Sequence, residues 1–166
     1  CVSIALTYKS ELLIGVVYEV CRNECFYAWK GGGAYLNGDL LSVSSTSEWS
    51  RASVGIDLPY NDKEYKPVLN ALVDRLYGNV VSLRDFGSAA MGLCYVAARR
   101  FDVWLEAYIK PWDYAAGALI VEEAGGKVSG FDGSPNYMGG HHVICSNGLL
   151  HDEVVDLVKP FVPDIL

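Results

Sequence analysis

"GSAAMGLCYVAARRFDVWLEAYIKPWDYAAGALIVEEAGG", Gly87 to Gly126, decides the fold, because it reads as helix, strand, helix. Gly87 to Arg99 is apolar almost all round, the pattern of a helix buried on most of its surface. "FDVWLEAY", Phe101 to Tyr108, alternates as a strand does. Phe101, Val103 and Leu105 point one way and Asp102, Trp104 and Glu106 the other. The stretch from Ile109 supplies an alanine-rich helix with Trp112 and Asp113 on its doorstep, and Gly125-Gly126 stops it.

Upstream, Cys1 to Val43 reads as a β-meander. "CVSIALTY" and "LLIGVVYEV" are β-branched runs joined by Lys9-Ser10-Glu11. "CFYAW" and "AYLNGDLLSV" follow, and Asn37-Gly38 between apolar residues demands a type I′ hairpin. Ser44 to Arg51 is a polar loop, Ala52 to Leu58 a strand, and Pro59 to Asp62 a turn. A helix is predicted over Lys63 to Tyr77, with Tyr65, Leu69, Leu72, Val73 and Leu76 as its apolar stripe and Pro67 in its first turn. "NVVSLR" reads as a short buried strand. Downstream, "KVSGF" and "HHVICS" are strands. A last helix spans roughly Leu149 to Phe161, with Leu150, Val154, Leu157 and Val158 inward. Strands and helices alternating after an antiparallel start mean layered α/β with a mixed sheet.

The chain has 166 residues, 51% hydrophobic and 20% charged, the balance of a globular domain. Its net charge of −7 argues against nucleic acid as a main partner. A phosphorylated small molecule stays open, because a bound cation inverts the local field. No apolar run approaches the roughly 20 residues of a membrane span. The five cysteines are odd in number and irregularly spaced, as free thiols in a reducing cytoplasm are. The first residues lie inside an apolar alternating run with no initiator Met, so residues 1–166 are expected to be the C-terminal part of a longer polypeptide. Residues 1–85 would form the meander and part of the central sheet, and 86–166 the C-terminal α/β part.

Three features could carry chemistry. Asp113 at the helix start reads either as a cap for free N–H groups or as a ligand of a hard cation such as Mg2+, which takes carboxylate and phosphate oxygens. Glu106 is either a solvated strand-end carboxylate or a second group facing the same crevice, since one short connection separates it from Asp113. Gly87, Ser88 and Ala89 carry almost no side chain, so they either allow tight helix packing or let a ligand reach backbone N–H groups. Gly31-Gly32-Gly33 precedes no helix and reads as a bulge or turn rather than a phosphate loop. His141 and His142 would face opposite sides of a strand, poor geometry for a shared metal.

The Trp-Asp-x-Ala-Ala-Gly core at Trp112 to Gly117 and the trailing Glu-Ala-Gly-Gly resemble the C-terminal signature of the inositol monophosphatase family. The meander, with "GGGAYLNGDLLSVS", is similar to that family's middle segment. The resemblance implies an α-β-α-β-α sandwich of the inositol monophosphatase and fructose-1,6-bisphosphatase type, lacking its N-terminal part. It also implies a cytoplasmic, Li+-sensitive homodimer that hydrolyses a phosphorylated polyol or sugar with Mg2+. By the same resemblance Asp113 is a metal ligand that also contacts the substrate hydroxyl beside the scissile phosphate. Glu106 binds sugar hydroxyls, and Gly87, Ser88 and Ala89 form the helix start that contacts substrate.

The family's other motif, Asp-Pro-Ile/Leu-Asp-Gly-Thr, supplies two metal ligands and helps to activate water, and it does not occur here. Nor does the upstream glutamate that holds the first metal. These residues would therefore carry the leaving-group side of the site and be inactive alone. Arg99 stands where the family usually has Gly. A bisphosphatase or 3′-phosphoadenosine 5′-phosphate phosphatase of the same family, and a binding protein that has lost the metal loop, are the alternatives.

Overall fold

The computed structural model of the protein describes residues 1–59 and 63–162. The first sheet is an antiparallel meander of β1 (Val2–Tyr8), β2 (Glu11–Glu19), β3 (Glu24–Trp29), β4 (Ala34–Leu36) and β5 (Asp39–Leu40), adjacent in that order. Asn37 and Gly38 take φ of 50° and 98°, the paired positive values a type I′ turn requires. The second sheet contains β6 (Ser53–Asp57), β7 (Ser82–Arg84), β8 (Val103–Ala107), β9 (Lys127–Ser129) and β10 (His142–Ser146), in spatial order β7-β6-β8-β10-β9. β6 runs parallel to β7 and β8, while β10 runs antiparallel to β8 and β9, so the sheet is mixed as expected.

Between the sheets lie α2 (Ala89–Ala97) and α3 (Pro111–Glu123). Every residue of α2 and all of Tyr114 to Val121 are buried, which is why neither helix shows a polar stripe. Small residues set the layer spacing. A Cβ on Gly15 of β2 would stand 2.5 Å from the Ala116 carbonyl oxygen, and one on Gly117 would stand 2.6 Å from Leu93 Cβ. The other face of the mixed sheet is covered by α1 (Lys66–Leu76) and α4 (His151–Val158). There Val54, Ile56, Val103, Leu105 and Ile144 meet Val68, Leu72, Leu76, Val154 and Val158.

The layers run sheet, helices, sheet, helices, four of the five expected. The outer face of the meander, with Ile4, Leu6, Ile14, Trp29 and Leu40 exposed, bears no helix among the described residues.

Four local expectations need correction. Phe101 precedes β8 and packs with Trp104 between the sheets, not with Val103 and Leu105, so the alternation starts only where the ladder does. The stripe of α1 is Val68, Leu72 and Leu76, continuing from Tyr65; Leu69 and Val73 sit on its flank, 40% and 36% exposed. "NVVSLR" is no buried strand: only Ser82–Arg84 pairs, at the sheet edge, and Val81 is 67% exposed. The last helix ends at Val158 and tightens into a 3-10 turn over Lys159–Phe161. The turn expected at Pro59 to Asp62 falls partly on residues 60–62, outside the described residues.

Two long-range ties explain glycine and arginine choices. The turn at Gly31-Gly32-Gly33 holds a carboxylate: Gly31 N–H donates to Glu123 Oε1 (2.7 Å) and Gly33 N–H to Oε2 (2.9 Å). Arg99 keeps the left-handed turn that a glycine would take (φ 61°), and its Nε donates to the Ser42 carbonyl at 2.7 Å.

Candidate functional site

Parallel pairing brings the carboxyl ends of β6 and β8 together, with Asp57 opposite Glu106. Two chain segments leave this edge for the helical layer. One runs from β7 through Asp85, Phe86 and Gly87 (φ 71°) into α2. The other leaves β8 through Tyr108 and enters α3, whose first turn holds Asp113. Two strand ends and the two segments leading into α2 and α3 thus surround a cleft of about 280 Å3, lined by Asp57, Leu58, Pro59, Gly87, Glu106, Ala107 and Tyr108. Such strand-end crevices are the usual ligand sites of α/β sheets.

The cleft is acidic and partly dry. Glu106 is pushed up to about 8, first by burial and then by repulsion from Asp57, Asp113 and Asp85. Its Oε2 is buried and has no hydrogen-bond partner among the described residues. Asp57 is 6% exposed. Burial and a hydrogen bond shared with Asp85 raise its pKa, against the pull of the backbone N–H groups of Gly87 and Phe86. Those two groups donate to Asp57 Oδ1, each at 3.0 Å.

Asp113 is the third residue of α3 and accepts the Lys110 N–H on Oδ2 at 2.8 Å. It therefore reaches back to tie the helix start, in the manner of the far half of a capping box. Among the described residues no hydrogen bond engages its Oδ1. Ser88 holds the extended backbone of a cap residue, but its hydroxyl caps nothing. The Gly87 N–H, expected to be open to a ligand, is already taken by Asp57. The N–H groups of Ser88 and Ala89 have no partner among the described hydrogen bonds.

The donor chemistry suits a hard cation: carboxylate oxygens, one of them orphaned, whose mutual repulsion a divalent ion would reverse. Among the described residues, however, no group of three or more His, Cys, Asp or Glu is placed to hold an ion. The described residues by themselves therefore form no such centre.

Of the residues expected from the sequence, Glu106 and Gly87 line this cleft; Asp113, Ser88 and Ala89 do not, although the Asp113 carboxylate is near enough to raise the Glu106 pKa. Asp57 and Asp85 escaped notice in the sequence. The one available signal was an aspartate ending a strand just before Pro59. His141 and His142 diverge: His141 Nδ1 pairs with the Ile109 carbonyl, whereas His142 is buried against Tyr65 and Phe131.

Residues 1–160 match the inositol monophosphatase family. The Nus factor SuhB of Escherichia coli (strain K12) is 38% identical, over 95% of this chain and 62% of its own length. The chain thus spans about 62% of that curated relative. A SuhB structure from Bartonella henselae superposes with a TM-score of 0.89 at 30% identity, covering 95% of this chain and 61% of that one. The Thermotoga maritima IMPase does so with 0.84 at 37% identity, covering 99% and 62%. With its layers, its strand-end cleft and its Trp-Asp-bearing helix start, the chain belongs to the inositol monophosphatase family.

Proposed function

We propose that the polypeptide carrying this chain is a Mg2+-dependent phosphomonoesterase acting on an inositol or sugar phosphate. The observation that supports this most is the pairing of the β6 and β8 ends, which puts Glu106 and Gly87 in one cleft with the Asp113 carboxylate near enough to act on Glu106. Asp113 would hold the ion through its unengaged Oδ1, beside the departing oxygen. Glu106 would accept a hydroxyl of the alcohol part, with the buried Oε2 as acceptor. The N–H groups of Ser88 and Ala89, unpaired among the described residues, would lie toward the ligand's anionic side at the positive end of α2. Bound Mg2+ supplies neutralisation of developing charge and an acidified water. A homodimeric, cytoplasmic enzyme is part of the same reading, as is the choice among inositol phosphate, fructose 1,6-bisphosphate and 3′-phosphoadenosine 5′-phosphate.

The test is phosphate release from inositol 1-phosphate with Mg2+ by the intact polypeptide. Asp113→Asn should lower kcat by on the order of a hundred-fold or more with an unchanged far-UV spectrum. Unchanged turnover refutes the assignment.

The name of the E. coli relative favours a second reading, that of a Nus factor in which this fold acts as a binding partner. A gene encoding Asp113→Asn that fully replaces the wild-type gene in growth, while phosphatase activity is gone, would favour that reading.

A further inference from the structure

Among the described residues the non-glycine positions with positive φ are Lys9, Ser10, Asn23, Asn37, Arg99 and Tyr108. The first four sit in turns between meander strands, and Arg99 follows α2. Tyr108 (φ 63°) is the one bulky aromatic in this set, and it lines the strand-end cleft. A left-handed backbone is unfavourable for such a residue and easy for glycine.

The turn is held from both sides. The Ile109 N–H donates to the His141 carbonyl at 3.0 Å, and His141 Nδ1 lies 3.2 Å from the Ile109 carbonyl. Just beyond, the Lys110 N–H is bound by Asp113. Such over-determined strain beside a cleft points to a task for the side chain. Tyr108 is 65% exposed and lines the cleft. Lys110 Nζ lies 5.7 Å from the ring centroid, and the His141 ring is tilted at 6.5 Å.

We propose that Tyr108 is a specificity-determining residue whose ring is a stacking wall for the alcohol part of the phosphate ester. It selects a nucleoside over a saturated polyol ring. This rests on the phosphomonoesterase reading above. Tyr108 lines the cleft, and with Lys110 and His141 beside its ring the residue stays 65% exposed, leaving a face on which a planar base can lie. Glu106, which lines the same cleft, provides an acceptor for a ribose hydroxyl. A polyol ring offers hydroxyls that the tyrosine face cannot pair, whereas a base offers a flat π surface to it.

The test uses the intact polypeptide with Mg2+ and two non-hydrolysable phosphonates, analogues of adenosine 2′-monophosphate and of inositol 1-phosphate. Kd is measured by titration calorimetry for wild type, Tyr108→Phe and Tyr108→Gly. Tyr108→Gly, which suits the backbone, should weaken the nucleotide analogue about ten-fold and the inositol analogue less than about three-fold. Tyr108→Phe should hold both near wild type. Equal losses for the two ligands, no loss in Tyr108→Gly, or no nucleotide binding by wild type would overturn the proposal. If wild type binds both analogues but frees no phosphate from either parent ester, the hydrolase reading falls and the stacking wall stands.

Discussion

Replacing Gly92 with alanine puts one methyl group against a fully buried ring. Trp104 of β8 is fully buried, and its indole lies between Gly55 of β6 and Gly92 of α2. A Cβ on Gly92 would stand 2.3 Å from Trp104 Nε1 and 2.5 Å from Cε2; one on Gly55 would stand 2.6 Å from Cδ1. The ring has a backbone close on each side, so to restore contact distance it must move by about an ångström in a core packed to crystal-like density. Overpacking of this kind costs roughly 1–3 kcal/mol, and a rigid ring with no free side belongs at the upper end. Alanine in mid-helix returns about 1 kcal/mol through its better propensity. The net is a destabilisation of about 2 kcal/mol, or roughly 4–8 °C in Tm. Urea titration followed by far-UV circular dichroism measures it. The cause is isolated in a Trp104→Phe background, where the smaller ring should absorb the methyl and the two changes should couple by about 1 kcal/mol or more. A Gly92→Ala protein as stable as wild type, or an undiminished cost beside Phe, would refute the account.

His151 is 1% exposed and pairs with Ser146 Oγ and Ser129 Oγ, each at 2.9 Å; burial lowers its pKa to about 4. The neutral ring is thus favoured in the folded state, and its stabilisation is complete above roughly pH 6.5 and lost as pH falls toward about 4. Glu106, Glu122 and Asp57, whose pKa values are raised, act in the opposite sense over part of this range, so the comparison is between variants at each pH. The stability advantage of wild type over His151→Gln should shrink by about 2 kcal/mol between roughly pH 7 and 5, and a constant difference in urea midpoints would exclude the mechanism. At Arg99, held at φ 61°, both Arg99→Ala and Arg99→Gly lose the contact to Ser42, but only glycine relieves the backbone. Thermal denaturation should rank Gly above Ala by about 1 kcal/mol, and the reverse order would show that the turn is not strained.

Features set by neighbouring residues could be read without a structure. Asn37-Gly38 requires positive φ at both positions, and the chain obliges. An all-apolar run from Ala89 to Ala97 can only be a helix with cover on every side, and α2 has it. The glycine pair expected to stop α3 does so, with Gly125 at φ 86°. The motif around Asp113 disclosed the family for the same reason, since its residues are consecutive.

Tertiary structure decided whatever depends on register between distant segments. Asp57 meets Glu106 only because β6 and β8 pair in parallel with that offset, and the ladder is set by both sheet faces being buried at once. Glu123 sits in the glycine turn at Gly31 and Gly33 because α3 lies across the meander. Phe101 turned toward Trp104 against its sequence parity because the strand had not yet begun. Tyr108 is left-handed because its flanking bonds, to His141 and to Asp113, close only after the sheet and α3 are in place. Local chemistry thus named the carboxylates at the ends of one connection, and long-range packing determined how acidic, dry and crowded their cleft is.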